Sequence, residues 1–249
     1  MKQKILLIAF IVGLLPQLAN AQWFWESAES LFEQGMKYLK SKDYNNAITY
    51  FSESGKKGNA KAYNALGNMY IKGMGVNKNY TQAYNYFVSA YNTNANSRAA
   101  NYWLGYCYYT GFGTNQNLNK AYQFFKTAAD KGHPRSNRYL GIMYYFGDGL
   151  PKNYNNAVYY FNIAANDGDV IAQMFMGVCY YDGTGVVKDS NLGRSYLEKS
   201  AKQGNRLASE LLNNYESWWR KGYKMIDGLA DYIPYFGTGW RIGQALVGE

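Results

Sequence analysis

A glycine pattern recurs along most of this chain and leaves it few ways to fold. Leu-Gly or Met-Gly pairs place glycines at Gly67, Gly105, Gly141 and Gly177, spaced 38, 36 and 36 residues apart. A Gly-x-Gly step begins six residues beyond each one, at Gly73-x-Gly75, Gly111-x-Gly113, Gly147-x-Gly149 and Gly183-x-Gly185. Twelve residues beyond stands a helix-capping type, Asn79, Asn117, Asn153 or Asp189, and sixteen beyond comes Ala83, Ala121, Ala157 or Gly193. Four and seven residues further on follow Phe87 and Ala90, Phe125 and Ala128, Phe161 and Ala164, or Leu197 and Ser200. Those offsets lie on one face of a helix. Each unit therefore reads as a first helix, a glycine turn suited to positive φ, and a capped second helix with a small-large-small stripe. A helix pair cannot bury such a stripe alone, whereas pairs stacked side by side bury it continuously. The expected fold is all-α, a right-handed α-solenoid of stacked antiparallel helix pairs. At 47% hydrophobic and 18% aromatic residues, the 249-residue chain has ample apolar surface for that core.

The stretch from Trp25 to Asn59 is a variant of the same unit. It has Gly35, Tyr38, Asp43, Tyr44, Ala47 and Phe51, but no Gly-x-Gly step, and its glycine-to-alanine interval is 12 residues instead of 16. This stretch resembles a tetratricopeptide repeat, and the four units after it resemble Sel1-like repeats, helical pairs with a longer, glycine-rich turn. The expected divisions are 22–59 for the first repeat, then 60–96, 97–133, 134–169 and 170–205, a capping helix in 206–222 and a short apolar, glycine-containing tail in 223–249. Two departures stand out. The segment Tyr91 to Ser97 carries two extra residues, and Gly193 replaces the alanine of the other units, which predicts a weaker helix. Leu207, Leu211 and Leu212 are expected to continue the stack, with Trp218 and Trp219 covering its end.

Residues 1–21 read as a signal peptide: Lys2 and Lys4 precede an apolar run from Ile5 to Leu15, and Ala19-Asn20-Ala21 has the small-x-small form of a cleavage site. The 11-residue run is well short of the ~20 residues a spanning helix needs. The resemblance is to the exported bacterial type, so a periplasmic or extracellular location is expected. Loss of Lys2 and Lys4 lowers the formal charge from +9 to +7. The remaining cations are scattered along the helices, and no nucleic-acid motif accompanies them.

Chemistry-bearing residues are few. The single histidine, His133, falls in the loop between the second helix of one unit and the first helix of the next, a poor place for a His-based triad, and one histidine cannot build a clustered zinc site, so neither a metal nor a cofactor is expected. Cys107 and Cys179 fall two residues after their repeat glycines, in units two layers apart. At ~10 Å per packed helix layer, that separation exceeds the ~7 Å Cα limit of a disulfide, so two buried free thiols are expected. Ser54 to Lys57 spells S-x-x-K, and the resemblance brings β-lactam chemistry into view. The motif falls at the end of a helix, however, without a K-T-G element.

Tyrosines are more informative. Tyr70, Tyr108, Tyr144 and Tyr180 recur three residues after each glycine and are expected to pack between helices. The resemblance implies that first-helix residues line a concave inner surface. The candidate partner-binding residues are then Asn64, Asn68 and Lys72, with Ile71, in one unit; Tyr102, Tyr106 and Tyr109 in the next; Arg138, Tyr145 and Phe146, with Ile142, in the third; and Met174 and Tyr181, with Val178, in the fourth. Tyrosine offers large contact area at low entropic cost and keeps a polar handle, which suits an extended peptide or a partner helix. The leading expectation is a non-enzymatic scaffold that holds a protein or peptide there. The alternative is action through the tail, where Met225, Ile226, Leu229, Ala230 and Ile233 form a short apolar face suited to weak contact with a membrane interface. Asp231 to Pro234 with Gly237 also looks like the segment preceding toxin modules in polymorphic bacterial toxins.

Overall fold

The computed structural model describes residues 26–220, with side chains as far as residue 213. Among the described residues there are eleven α-helices and no strand: α1 (Ala28–Lys40), α2 (Tyr44–Lys56), α3 (Ala60–Lys72), α4 (Tyr80–Thr93), α5 (Arg98–Thr110), α6 (Leu118–Asp130), α7 (Ser136–Phe146), α8 (Tyr154–Asn166), α9 (Val170–Asp182), α10 (Ser190–Lys202) and α11 (Arg206–Arg220). Residues 1–21, read above as a signal peptide, the indoles of Trp218 and Trp219, and the tail 223–249 lie outside the described residues.

Local chemistry sets these boundaries. Asn79, Asn117, Asn153 and Asp189 each accept a hydrogen bond from the backbone N–H three residues on, at the starts of α4, α6, α8 and α10. This satisfies a donor that the helix cannot. Gly73, Gly111, Gly147 and Gly183 close the first helices at φ of 70°, 77°, 79° and 71°, left-handed values that a side chain would strain.

The chain divides into two compact units between Ala95 and Asn96, inside the segment that carries the two extra residues. In the first unit α1 packs on α2, α2 on α3 and α3 on α4; in the second, α5 to α11 pack in sequence. The predicted stripes are all buried, from Ala83, Phe87 and Ala90 to Gly193, Leu197 and Ser200. Within a pair the two helices approach closely at the repeat glycine: a Cβ on Gly105 or Gly141 would lie 2.8 Å or 2.5 Å from the ring of Phe125 or Phe161.

At Gly193 the sequence expectation needs correcting. A Cβ there would lie 2.8 Å from the Tyr181 ring and 3.0 Å from the carbonyl oxygen of Gly177, and a Cβ on Gly177 would lie 3.1 Å from the carbonyl of Gly193. The two backbones approach one another directly, so this glycine serves packing and is not simply a weak point in α10. Cys107 and Cys179 are buried free thiols, as the repeat register requires, and burial pushes both up to about 12.

Candidate functional site

The candidate residues of the second unit do not line an open surface. Tyr109, Tyr145 and Tyr181, four residues after the repeat glycines, are buried. Tyr109 packs against Phe125 and Tyr139, and Tyr145 against Phe161 and Phe175, at centroid distances between 5.7 and 6.2 Å. Tyr102 lies in the same aromatic core, stacked 4.1 Å from His133 and 6.0 Å from Tyr139. Tyr106 meets Trp103, Phe112 and Tyr139, while Met174, Ile142 and Val178 are fully enclosed. These residues are corrected from a binding surface to interior packing. The physical reason is direction: these positions lie on the helix faces that pack within and between successive pairs.

Arg138 is also mostly enclosed. Its Nη1 lies 3.0 Å from Oδ2 of Asp169, with both side chains only 11% exposed. Asp169 caps α9 through its other oxygen, which accepts from the N–H groups of Ile171 and Ala172. Phe146 is half-buried against Tyr145 and Phe175. In the first unit Asn64 is buried, Asn68 donates to the Asn64 carbonyl at 2.9 Å, and Lys72 alone of the three is exposed.

The tyrosines expected to pack between helices do so, and keep part of their surface as well. Tyr144 and Tyr180 are half-buried, stacked 5.6 Å from Tyr160 and 5.8 Å from Tyr196 at interplanar angles of 7° and 8°. Tyr144 also reaches the preceding pair, where its hydroxyl lies 3.1 Å from that of Tyr122. Burial and then this neighbour raise the Tyr144 phenol to about 12. Tyr159 is 61% exposed and meets Tyr160 edge-on at 5.1 Å. Lys199 sits 5.3 Å from the Tyr196 ring centre. Half-exposed tyrosine pairs thus recur where α7 meets α8 and where α9 meets α10. Their sequence signal was available: an aromatic residue stands nineteen beyond each repeat glycine, as Tyr86, Phe124, Tyr160 and Tyr196.

Ser54 is buried, and its Oγ donates to the Ala28 carbonyl at 2.5 Å; Lys57 donates to the Glu26 carbonyl at 2.6 Å. Ser200 does the same in the last repeat, donating to the Val170 carbonyl at 2.7 Å. The S-x-x-K serine therefore holds a structural bond between helices. Among the described residues no group of three or more His, Cys, Asp or Glu is placed to hold a metal, and no helix is long and apolar enough to cross a membrane.

Comparison with known proteins agrees with this geometry. The Sel1 repeat family profile matches residues 28–59, 60–92, 98–133, 134–169 and 170–205. The chain is similar to a Sel1 repeat protein from Oxalobacter formigenes at 31% identity, over 76% of each chain and with a TM-score of 0.70. It is also similar to c5321, a protective antigen of uropathogenic Escherichia coli strains with an SLR fold, at 26% identity and a TM-score of 0.65. That match covers 74% of this chain but 40% of the antigen. A Sel1 repeat protein from Klebsiella pneumoniae shares the fold at 17% identity, over 75% of this chain and 92% of its own, with a TM-score of 0.52. No curated protein matches the chain.

Proposed function

Because the chain belongs to the Sel1 repeat family, whose members generally act as protein–protein interaction scaffolds, we propose that it is an exported, non-enzymatic scaffold that meets its partner on the tyrosine surface of the second unit. The observation that carries this reading is the stacked pair repeated on that surface. Tyr144 with Tyr160, and Tyr180 with Tyr196, present preformed, half-exposed aromatic rings, and Tyr159, edge-on to Tyr160, adds an exposed ring. Rings held by stacking lose little further freedom on binding, so contact costs little entropy. The occupant is a polypeptide, whose carbonyls and side chains match an aromatic surface with phenolic donors.

Export rests on Lys2, Lys4, the apolar run from Ile5 and the Ala19-Asn20-Ala21 step. The purified periplasmic or secreted protein should begin at Gln22 by mass spectrometry; full-length protein confined to the cytoplasm would contradict it. Partner capture should fall at least tenfold in the Tyr159→Ala, Lys199→Ala double variant, both positions being exposed enough to leave the fold intact. Undiminished capture would place the binding surface elsewhere.

A further inference from the structure

The junction between α6 and α7 differs from the other junctions of the second unit. The α8–α9 and α10–α11 junctions end in Asp169 and Asn205, whose side chains accept from first-turn N–H groups. Between α6 and α7 the chain reads Lys131-Gly132-His133-Pro134-Arg135, and Arg135 occupies the cap position with no side-chain hydrogen bond to the helix. A cation thus stands where the helix dipole is positive and where an anion is favoured.

More positive charge gathers at the same place. Arg98, the first residue of α5, reaches across to donate to the Gly132 carbonyl at 3.2 Å. Lys131 donates to the Asn96 side chain at 3.0 Å, and Arg138 lies one turn into α7. The Nε of Arg138 is buried with no hydrogen-bond partner among the described residues. Two carboxylates stand nearby and both are already paired, Asp169 with Arg138 and Asp130, the residue before Lys131, with Lys126. At the centre, His133 stacks on Tyr102 and its Nδ1 lies 3.2 Å from the Ser136 hydroxyl. Burial first, and then the fields of Arg135, Arg98 and Arg138, lower His133 to about 4. The imidazole is neutral at pH 7, and the positive charge around it adds to the effect of burial.

We propose that Arg98, Lys131 and Arg135, gathered at the start of α7, form a recognition site for carboxylates of an acidic peptide segment. The ligand class rests on the scaffold reading; the anion chemistry rests on the cluster. Guanidinium groups pair with carboxylates through two parallel N–H donors. The first turn of α7 has no side-chain cap, so the positive end of its dipole adds to the same field. A bound carboxylate also offsets the field that depresses His133, so binding and imidazole protonation favour one another.

His133 is the only histidine of the chain, so its NMR titration in untagged protein is unambiguous. With saturating blocked hexa-aspartate, the His133 midpoint should rise by about one unit, a tenfold change in proton affinity. In Arg98→Ala, Arg135→Ala protein, whose altered side chains are exposed, the midpoint should start higher, the peptide should no longer move it, and affinity should drop at least tenfold. An unmoved midpoint in the unaltered protein overturns the site, and so does unchanged affinity in the double variant. Inorganic phosphate at equal concentration should shift the midpoint less; an equal shift would overturn the peptide assignment. Failure here with partner capture at Tyr159 intact removes this site alone, whereas loss of both removes the scaffold reading.

Discussion

The hydroxyl of Tyr109 donates to Oδ2 of Asp148 at 2.7 Å, a buried bond between α5 of one repeat and the Gly-x-Gly turn of the next. Burial raises the Asp148 carboxyl above its usual range, opposed by the hydrogen bond from Tyr109. The fold therefore prefers the protonated acid. Its stabilising contribution is complete below the ordinary carboxylate pKa and declines as pH rises through the folded value. Asp148→Asn keeps an acceptor for Tyr109 without a charge, so thermal unfolding should show it gaining on the unaltered protein between pH 4 and pH 7. Tyr109→Phe should cost about 1–3 kcal/mol at pH 7, with the buried carboxylate deprived of its donor, and less at pH 4. Equal effects at both pH values would contradict the assignment.

Gly193→Ala sets two effects against each other. Helix propensity favours alanine by about 1 kcal/mol, but the new methyl would lie 2.8 Å from the Tyr181 ring and 3.0 Å from the Gly177 carbonyl. Overpacking of this kind costs about 1–3 kcal/mol, so chemical denaturation should show net destabilisation. A gain in stability would mean that the helices simply move apart.

Asp169→Asn should retain the cap on α9 but remove the counter-charge of Arg138. Breaking an enclosed pair costs about 3 kcal/mol, and Asp169→Ala should add about 1 kcal/mol for the lost cap. Denaturant midpoints of the two variants separate these contributions; identical values would mean that the cap contributes nothing.

Cys107 and Cys179 should resist thiol reagents at pH 8 in the native protein, because burial raises both thiols to about 12. Both should react at once in denaturant. Rapid native labelling of either would show that its helix opens.

The architecture was legible because it is written four times over. Spacing placed Gly73, Gly111, Gly147 and Gly183 at helix ends and Asn79, Asn117, Asn153 and Asp189 at helix starts, where local geometry decides the outcome. The proposed binding surface was not legible in the same way. A helix-face argument says that Tyr108 and Tyr109 point in different directions, but not which direction is solvent; that depends on how successive pairs stack. Tyr109 is interior and bonded to Asp148, whereas Tyr144 and Tyr180, at the position equivalent to Tyr108, keep part of their surface. Gly193 misled for a related reason, since propensity sees one helix and the close approach involves two. The charge around His133 was also hidden, because Arg98 lies 35 residues away in sequence.

The central claim is tested most directly by placing a photoreactive side chain at position 159 and, separately, at position 106, in the protein expressed in its native cells. A discrete partner cross-linked from 159 and absent from 106, and lost when Lys199→Ala is added, is the predicted result. Cross-linking from 106 with none from 159 would contradict the account, because the buried ring of Tyr106 would then be the working contact and the exposed Tyr159 would not.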